Sequence, residues 1–160
     1  DSHRRQRQMC IRDSLNTISE VIDLATLAIS AEAVGIMQKM NELTLDYTKT
    51  REQFGQALSK FQALQHRMVD TFMVHEQTKS LLLMAAAKMN DKAADTSKSI
   101  SALKYQIGSA AKLIGEESIQ LHGGMGVTEE MSIGHYFKRL TTIRTIFGNS
   151  DYHLKRYSSL

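Results

Sequence analysis

Two stretches of this chain combine residue types and spacings that could hold a ligand. Residues 119–126 read IQLHGGMG, with three glycines within four positions. Backbone without β-carbons can lie close against a ligand, and Gln120 just before it carries both a donor and an acceptor. The same glycines also suit a plain helix stop, with Gly123 or Gly124 in a left-handed cap. Residues 51–55 read REQFG. Arg51, placed where a helix ends, offers a permanently charged fork suited to phosphate.

Other chemistries find less support. A carboxylate-bridged metal pair in a helical bundle needs inward glutamates and Glu-x-x-His pairs. None of the six histidines has a glutamate three positions earlier; His66 follows Ala63, His75 follows Phe72 and His122 follows Ile119. A zinc site lacks cysteines, because Cys10 is the only one. No GxSxG elbow supports a serine nucleophile, and no metal is expected.

These residues must be positioned by helices. The chain has 160 residues, enough for one domain with a real core, and no proline. Alanine, leucine, methionine, lysine and glutamine are plentiful, which favours long uninterrupted helices. No charge-free run of 18 apolar residues occurs, so no membrane span is expected. The lone cysteine fits a reducing compartment, and a cytoplasmic location is expected.

Residues 1–13 are rich in arginine, with Arg4, Arg5, Arg7 and Arg12 against Asp1 and Asp13, and lack apolar periodicity. They are read as a non-native or disordered leader rather than as an arm for nucleic acid; without them the chain is close to neutral. The domain proper covers residues 14–160. A capping-box pattern, Thr17 with Glu20, predicts a first helix over about 17–47. Ile18, Val21, Ile22, Ala25, Ile29, Ala33, Val34, Met37 and Met40 form its apolar face, and Gly35 is expected at a close helix crossing. Gly55 marks a turn. A second helix follows over 61–90, with Leu64, Met68, Phe72, Leu82, Ala86 and Met89 as its stripe. Thr96 or Ser97 caps a third over 97–122, whose Ile100, Leu103, Ile107, Ala110, Ile114 and Leu121 face inward. Thr128 caps a fourth over 129–147, Gly148 breaks it, and Ser150 opens a short last helix. No strand pattern competes. The expected fold is all-α: an up-down antiparallel helical bundle with a short C-terminal helix.

Taken together the motifs are specific. Tyr47, Arg51-x-x-Phe54-Gly55, Phe61-Gln62, Gln120-x-x-Gly123-Gly124-x-Gly126, Arg139 and the late Gly148 follow in an order that resembles the C-terminal domain of acyl-CoA dehydrogenases. The resemblance covers essentially everything after the leader. Residues 61–70 (FQALQHRMVD) and 134–140 (GHYFKRL) look like the small subunit of pimeloyl-CoA dehydrogenase.

The resemblance implies an oxidoreductase of fatty acid metabolism that holds FAD and removes two hydrogens across the α,β bond of an acyl-CoA thioester. It also implies that the family's N-terminal helical and middle β-domains are absent, so that the chain is a fragment expected to be inactive alone. Partners would be the acyl-CoA substrate, a homo- or hetero-oligomer with another dehydrogenase subunit, and an electron acceptor such as an electron-transfer flavoprotein. By motif match Arg51 would pair with the FAD pyrophosphate, and Phe54, Gln62, Gln120, Gly123, Gly124, Asn149 and Ser150 would also contact the cofactor. The catalytic base is unassigned. The family's usual glutamate is replaced by Phe147, and the alternative position early in the first helix holds Ala25; neither side chain accepts a proton. Asp151 is the nearest carboxylate, but a first-turn helix role explains it equally well. A second reading is therefore a non-catalytic small subunit whose partner supplies the base.

Overall fold

The structure is a computed structural model that describes residues 2–160, with side chains from residue 14 onward. Helix α1 spans Ser2–Thr50. It does not begin at Thr17: neither glycine nor proline precedes Gly35, and nothing local stops the helix. Thr17 thus lies inside α1 instead of capping it. The reading of residues 1–13 as a leader turns on what their side chains pack against, which lies outside the described residues.

A two-residue hairpin follows, β1 Glu52–Gln53 antiparallel to β2 Gln56–Ala57, with Gly55 at the turn as expected. Helix α2 covers Gln62–Asn90, α3 Thr96–His122, α4 Ser132–Ile143 and α5 Ser150–Ser159. The short strand pair is the one departure from an all-helical chain among the described residues. It is too short to show apolar alternation in sequence.

Helix α3 is the element the others pack on; α1, α2, α4 and α5 all touch it. Its Ile100, Leu103, Ile107, Ala110, Ile114 and Leu121 are buried as the spacing predicts. The C-terminal half of α1 contributes Ala33, Val34, Met37 and Met40 to the same core.

Elsewhere the apolar pattern misplaces the core. Ile18, Val21 and Ile22 face outward, while Asp23, Thr26 and Ser30 are buried. The hydroxyls of Thr26 and Ser30 donate to the carbonyls of Ile22 and Thr26 at 2.7 Å, so burial orphans neither. In α2, Phe72 is exposed and Thr71, His75 and Thr78 point inward. Periodicity identifies a stripe but not which neighbour covers it.

Gly35 does not mark a crossing, since a β-carbon there would meet nothing within 4 Å. The close approaches are at Gly108 and Gly115 of α3. Added β-carbons would fall 1.9 Å from Ser150 Oγ and 2.9 Å from Phe137 Cδ2 respectively.

Three helix-boundary expectations also shift. Asp95, not Thr96 or Ser97, precedes α3. The Thr96 hydroxyl instead donates to the carbonyls of Lys88 and Ala93, and Ser97 donates to Asp23. Thr128 turns its hydroxyl back to the Met125 carbonyl, and α4 starts three residues beyond the expected Glu129. The segment after Ile143 leaves the helix before Phe147, which has φ 58°, and Gly148, which has φ 104°. Among the described residues no helix is long and apolar enough to cross a membrane.

Candidate functional site

The end of α1 and the end of α3 meet at one end of the bundle. The Tyr47 ring stacks on His122 with centroids 4.4 Å apart and planes 22° apart. Its hydroxyl donates to the His122 carbonyl at 3.3 Å. Arg51 closes the α1 terminus through its N–H on the Tyr47 carbonyl, and its own carbonyl accepts from Leu58 across the hairpin. These contacts place Arg51 opposite Gln120, Gly123 and Gly124, and all four line one cleft of about 550 Å³.

The cleft is cationic. Arg67 of α2 also lines it, but its Nε donates to Glu117 of α3 at 2.5 Å. Arg139 holds Glu32 and Arg156 holds Asp23. Among the described residues the Arg51 guanidinium has no such carboxylate, so its five donors remain available.

The glycines divide by what each is needed for. Gly123 takes φ +60°, which only glycine adopts without strain, and ends α3. Its ψ of −142° differs from the left-handed helical cap expected there. Gly126 packs tightly: a β-carbon would come within 2.9 Å of the Ile119 carbonyl oxygen. Gly124 has neither reason, with an ordinary φ and nothing within 4 Å of a would-be β-carbon. The fold does not require a glycine at 124, whereas a ligand lying along the backbone would.

His122, buried beneath Tyr47, carries no site signal in the sequence. Its Nδ1 is 2.7 Å from the Ser118 carbonyl, which makes Nδ1 the protonated nitrogen. Burial holds its pKa below the usual histidine value, so the ring is neutral and Nε2 carries a lone pair. That atom is buried without a hydrogen-bond partner among the described residues. An unpaired guanidinium beside a glycine backbone with open space suits a ligand that carries phosphate.

The other sequence-derived candidates lie elsewhere. Phe54 sits at the hairpin tip, 91% exposed, edge-on to Phe61 at 6.2 Å. Gln62 is exposed at the first position of α2 and does not line the cleft. Asn149 caps α5, its side-chain oxygen accepting from the Tyr152 N–H at 2.9 Å. Ser150 lies against Gly108, which is twelve residues before Gln120 and so roughly 18 Å back along α3. Phe147 is half-exposed on the turn before α5, and Asp151 is exposed in the first turn of α5. Ala25 is half-buried in the part of α1 remote from the cleft.

Two charged features in the bundle were not expected from the sequence. Asp23 binds Arg156 through both oxygens, and Lys104 is fully buried with its ammonium on three carbonyls. A signal for Lys104 does exist: a lysine stands within the apolar stripe formed by Ile100, Leu103 and Ile107. A larger groove of about 630 Å³ runs between α1 and α2, lined by Leu45, Met68, Val69 and Phe72 and by none of the residues matched to the cofactor.

Residues 15–158 match the model of the acyl-CoA dehydrogenase C-terminal domain. The chain is 34% identical over 135 residues to the acyl-CoA dehydrogenase IpdE2 of Mycolicibacterium smegmatis, covering 84% of this chain and 41% of that protein. The structure of PigA with FAD and proline superposes with a TM-score of 0.81 at 28% identity, covering 86% of this chain and 36% of PigA. An acyl-CoA dehydrogenase from Geobacillus kaustophilus gives a TM-score of 0.86 at 22% identity, over 91% of this chain and 38% of the other, a likeness of fold. The chain thus spans about two fifths of the length of the relatives it matches.

Proposed function

This chain belongs to the acyl-CoA dehydrogenase family as its C-terminal helical domain, and we propose that it supplies one wall of an FAD site in an α,β-dehydrogenating acyl-CoA oxidoreductase. The observation that carries the reading is the cleft in which the unpaired Arg51 faces Gln120, Gly123 and Gly124. When bound, FAD supplies the hydride acceptor.

This chain's residues bind and orient. The Arg51 fork matches a pyrophosphate two oxygens at a time. Gln120 reads a neighbouring polar group, and the backbone at 123 and 124 approaches without β-carbons. Phe54 is exposed enough to lie against a cofactor, and Gln62 to reach one, only if the hairpin and the start of α2 face another subunit. Asn149 has spent its side-chain oxygen on the helix cap, so its amide nitrogen and the Ser150 hydroxyl are what remain for the cofactor.

None of the three candidate positions holds a well-placed base. Phe147 and Ala25 cannot accept a proton, and Asp151 is solvent-facing at the start of a helix. That observation favours a second reading: a small subunit of a heteromer, with the base on its partner. Residues 61–70 and 134–140 support placement near the pimeloyl-CoA dehydrogenase small subunits, and electron transfer to a separate flavoprotein would follow. A cytoplasmic location is part of the same reading.

The test is a flavin titration. FAD should bind weakly or not at all to this chain alone and tightly to the assembled full-length protein. Arg51→Ala in that assembly should weaken binding by about 1.5–3 kcal/mol, the worth of a hydrogen bond to a charged group. Arg51→Lys should recover part of it, because an ammonium cannot make a two-pronged contact. Equal binding by all three would refute the assignment.

A further inference from the structure

The turn between α4 and α5 contains the position at which the family base is replaced by Phe147. Its backbone is unusual: Phe147 has φ 58° and Gly148 φ 104°. A bulky residue keeps such a conformation only when its surroundings over-determine it. Two side chains provide that constraint. Lys104 Nζ donates to the carbonyls of Ile143 at 3.0 Å, Arg144 at 3.3 Å and Gly148 at 3.0 Å. His153 Nε2, 2.9 Å from the Phe147 carbonyl, donates to it.

We propose that Lys104 is a positioning residue for this turn. Together with His153 it fixes the backbone at residue 147 and hence the direction in which that side chain leaves the bundle. The proposal rests on the reading above that Phe147 stands at the family's base position and that Asn149 and Ser150 contact the cofactor.

Three features support it. All three Lys104 contacts are to main chain, so the clamp is indifferent to the side chain at 147 and survives a phenylalanine there. The carbonyls of Ile143 and Arg144 are orphans of the α4 terminus, where a cation is favoured. Lys104 is 1% exposed, and burial draws its ammonium down to about 8, which still leaves it charged at neutral pH. A buried lysine that served only as core filling would cost more than a methionine; the three carbonyls account for its presence.

The experiment is hydrogen exchange on the whole chain for wild type, Lys104→Met and Phe147→Glu. In Lys104→Met the amides of Ile146 and Gly148 and the first turn of α5 should lose roughly tenfold or more of their protection, while core amides at 100–114 keep theirs. Phe147→Glu should leave the turn protected. Lys104→Cys alkylated with bromoethylamine, in a Cys10→Ser background, rebuilds an ammonium and should restore protection. Uniform loss along the chain, or no loss at the turn, would overturn the proposal. Should Lys104→Met fail to fold, His153→Phe probes the same clamp at the Phe147 carbonyl: loss confined to 145–150 supports it, and none overturns it. Because no flavin is present, a failed FAD titration leaves this outcome unaffected.

Discussion

Asp23 and Arg156 are 133 residues apart in sequence and meet as a two-pronged pair, Nη1 to Oδ1 at 2.6 Å and Nη2 to Oδ2 at 3.0 Å. Ser97 donates to the same carboxylate at 2.6 Å, and Arg156 Nη1 reaches Ser101 Oγ at 3.2 Å. One carboxylate therefore ties α1, α3 and α5 together. Hydrogen bonding to Asp23 raises the pKa of Arg156, so the guanidinium stays charged throughout. Removing one partner leaves the other charge largely buried, which costs more than removing both. Asp23→Ala should lower unfolding free energy by about 3 kcal/mol, and Asp23→Leu combined with Arg156→Met should lower it by less. Urea unfolding of the three proteins measures this; an additive double mutant would contradict the pairing.

Gly108 tests how tightly α5 docks. Its absent β-carbon leaves the space that Ser150 Oγ fills, at 1.9 Å from where the carbon would be. Gly108→Ala gains about 1 kcal/mol of helix propensity but overpacks the contact, which typically costs about 1–3 kcal/mol. The single variant should be mildly destabilised. Adding Ser150→Gly, which clears the space, should recover the propensity gain. Thermal melts of the single and double variants decide it, and a Gly108→Ala protein more stable than wild type would show that α5 is loosely held.

Burial lowers the pKa of both His122 and His153. The unfolded chain takes up protons near pH 6.5, where the folded chain still refuses them. More protons on the unfolded state means that stability rises with pH across this window. The contribution is complete above pH 6.5 and declines as pH falls toward the depressed folded values. Lys104 acts in the same sense at higher pH: folded near 8 and unfolded near 10.5, it makes stability rise between those values. Urea midpoints at pH 5.5, 7.5 and 9.5 should show both effects. His122→Phe, which keeps a ring against Tyr47, should flatten the acid limb, and Lys104→Met the alkaline one.

Apolar side chains on the outer face of α2, Val69, Phe72, Met73, Leu83 and Met84, are exposed in the single chain, and the first two also line the groove between α1 and α2. A patch of this kind marks an interaction surface. Sedimentation at high concentration should show self-association, and Met73→Glu with Leu83→Glu should weaken it. A clean monomer for the unmodified chain would count against an interface role for this face.

The parts legible in the sequence are those fixed by local rules. The α3 stripe, the turn at Gly55 and the ends of α2 follow from periodicity and glycine placement. Arg51 and residues 120–124 are legible because charge type and missing β-carbons carry meaning before folding, and the fold brings them into one cleft. What stays hidden depends on three-dimensional neighbours. The outward turn of Val21 and Ile22 and the inward turn of Thr26 and Ser30 follow from where α3 and α5 dock, not from α1's own pattern. Gly108 and Gly115 look like ordinary helix glycines until Ser150 and Phe137 arrive. Lys104 shows in the sequence only as a lysine within the apolar α3 stripe; the carbonyls that hold it, like the missing partner of His122 Nε2, appear only in the fold.

The glycine pair gives the sharpest separation of fold from function. Gly123 is held at φ +60°, so Gly123→Val forces a β-branched residue into a disfavoured backbone region, at a cost of about 1–3 kcal/mol. Both the free chain and any flavin binding should suffer. Gly124 has an ordinary φ and open space around its would-be β-carbon. Gly124→Val should therefore leave the melting of the chain almost unchanged, within about 0.5 kcal/mol for an exposed substitution away from special features. In the assembled protein the same valine would project into the cleft between Arg51 and Gln120 and should weaken FAD by at least tenfold, about 1.4 kcal/mol. Paired melts and flavin titrations of the two variants make the comparison. If Gly124→Val binds FAD like wild type, the cleft does not hold the cofactor, and residues 120–124 do no more than end α3.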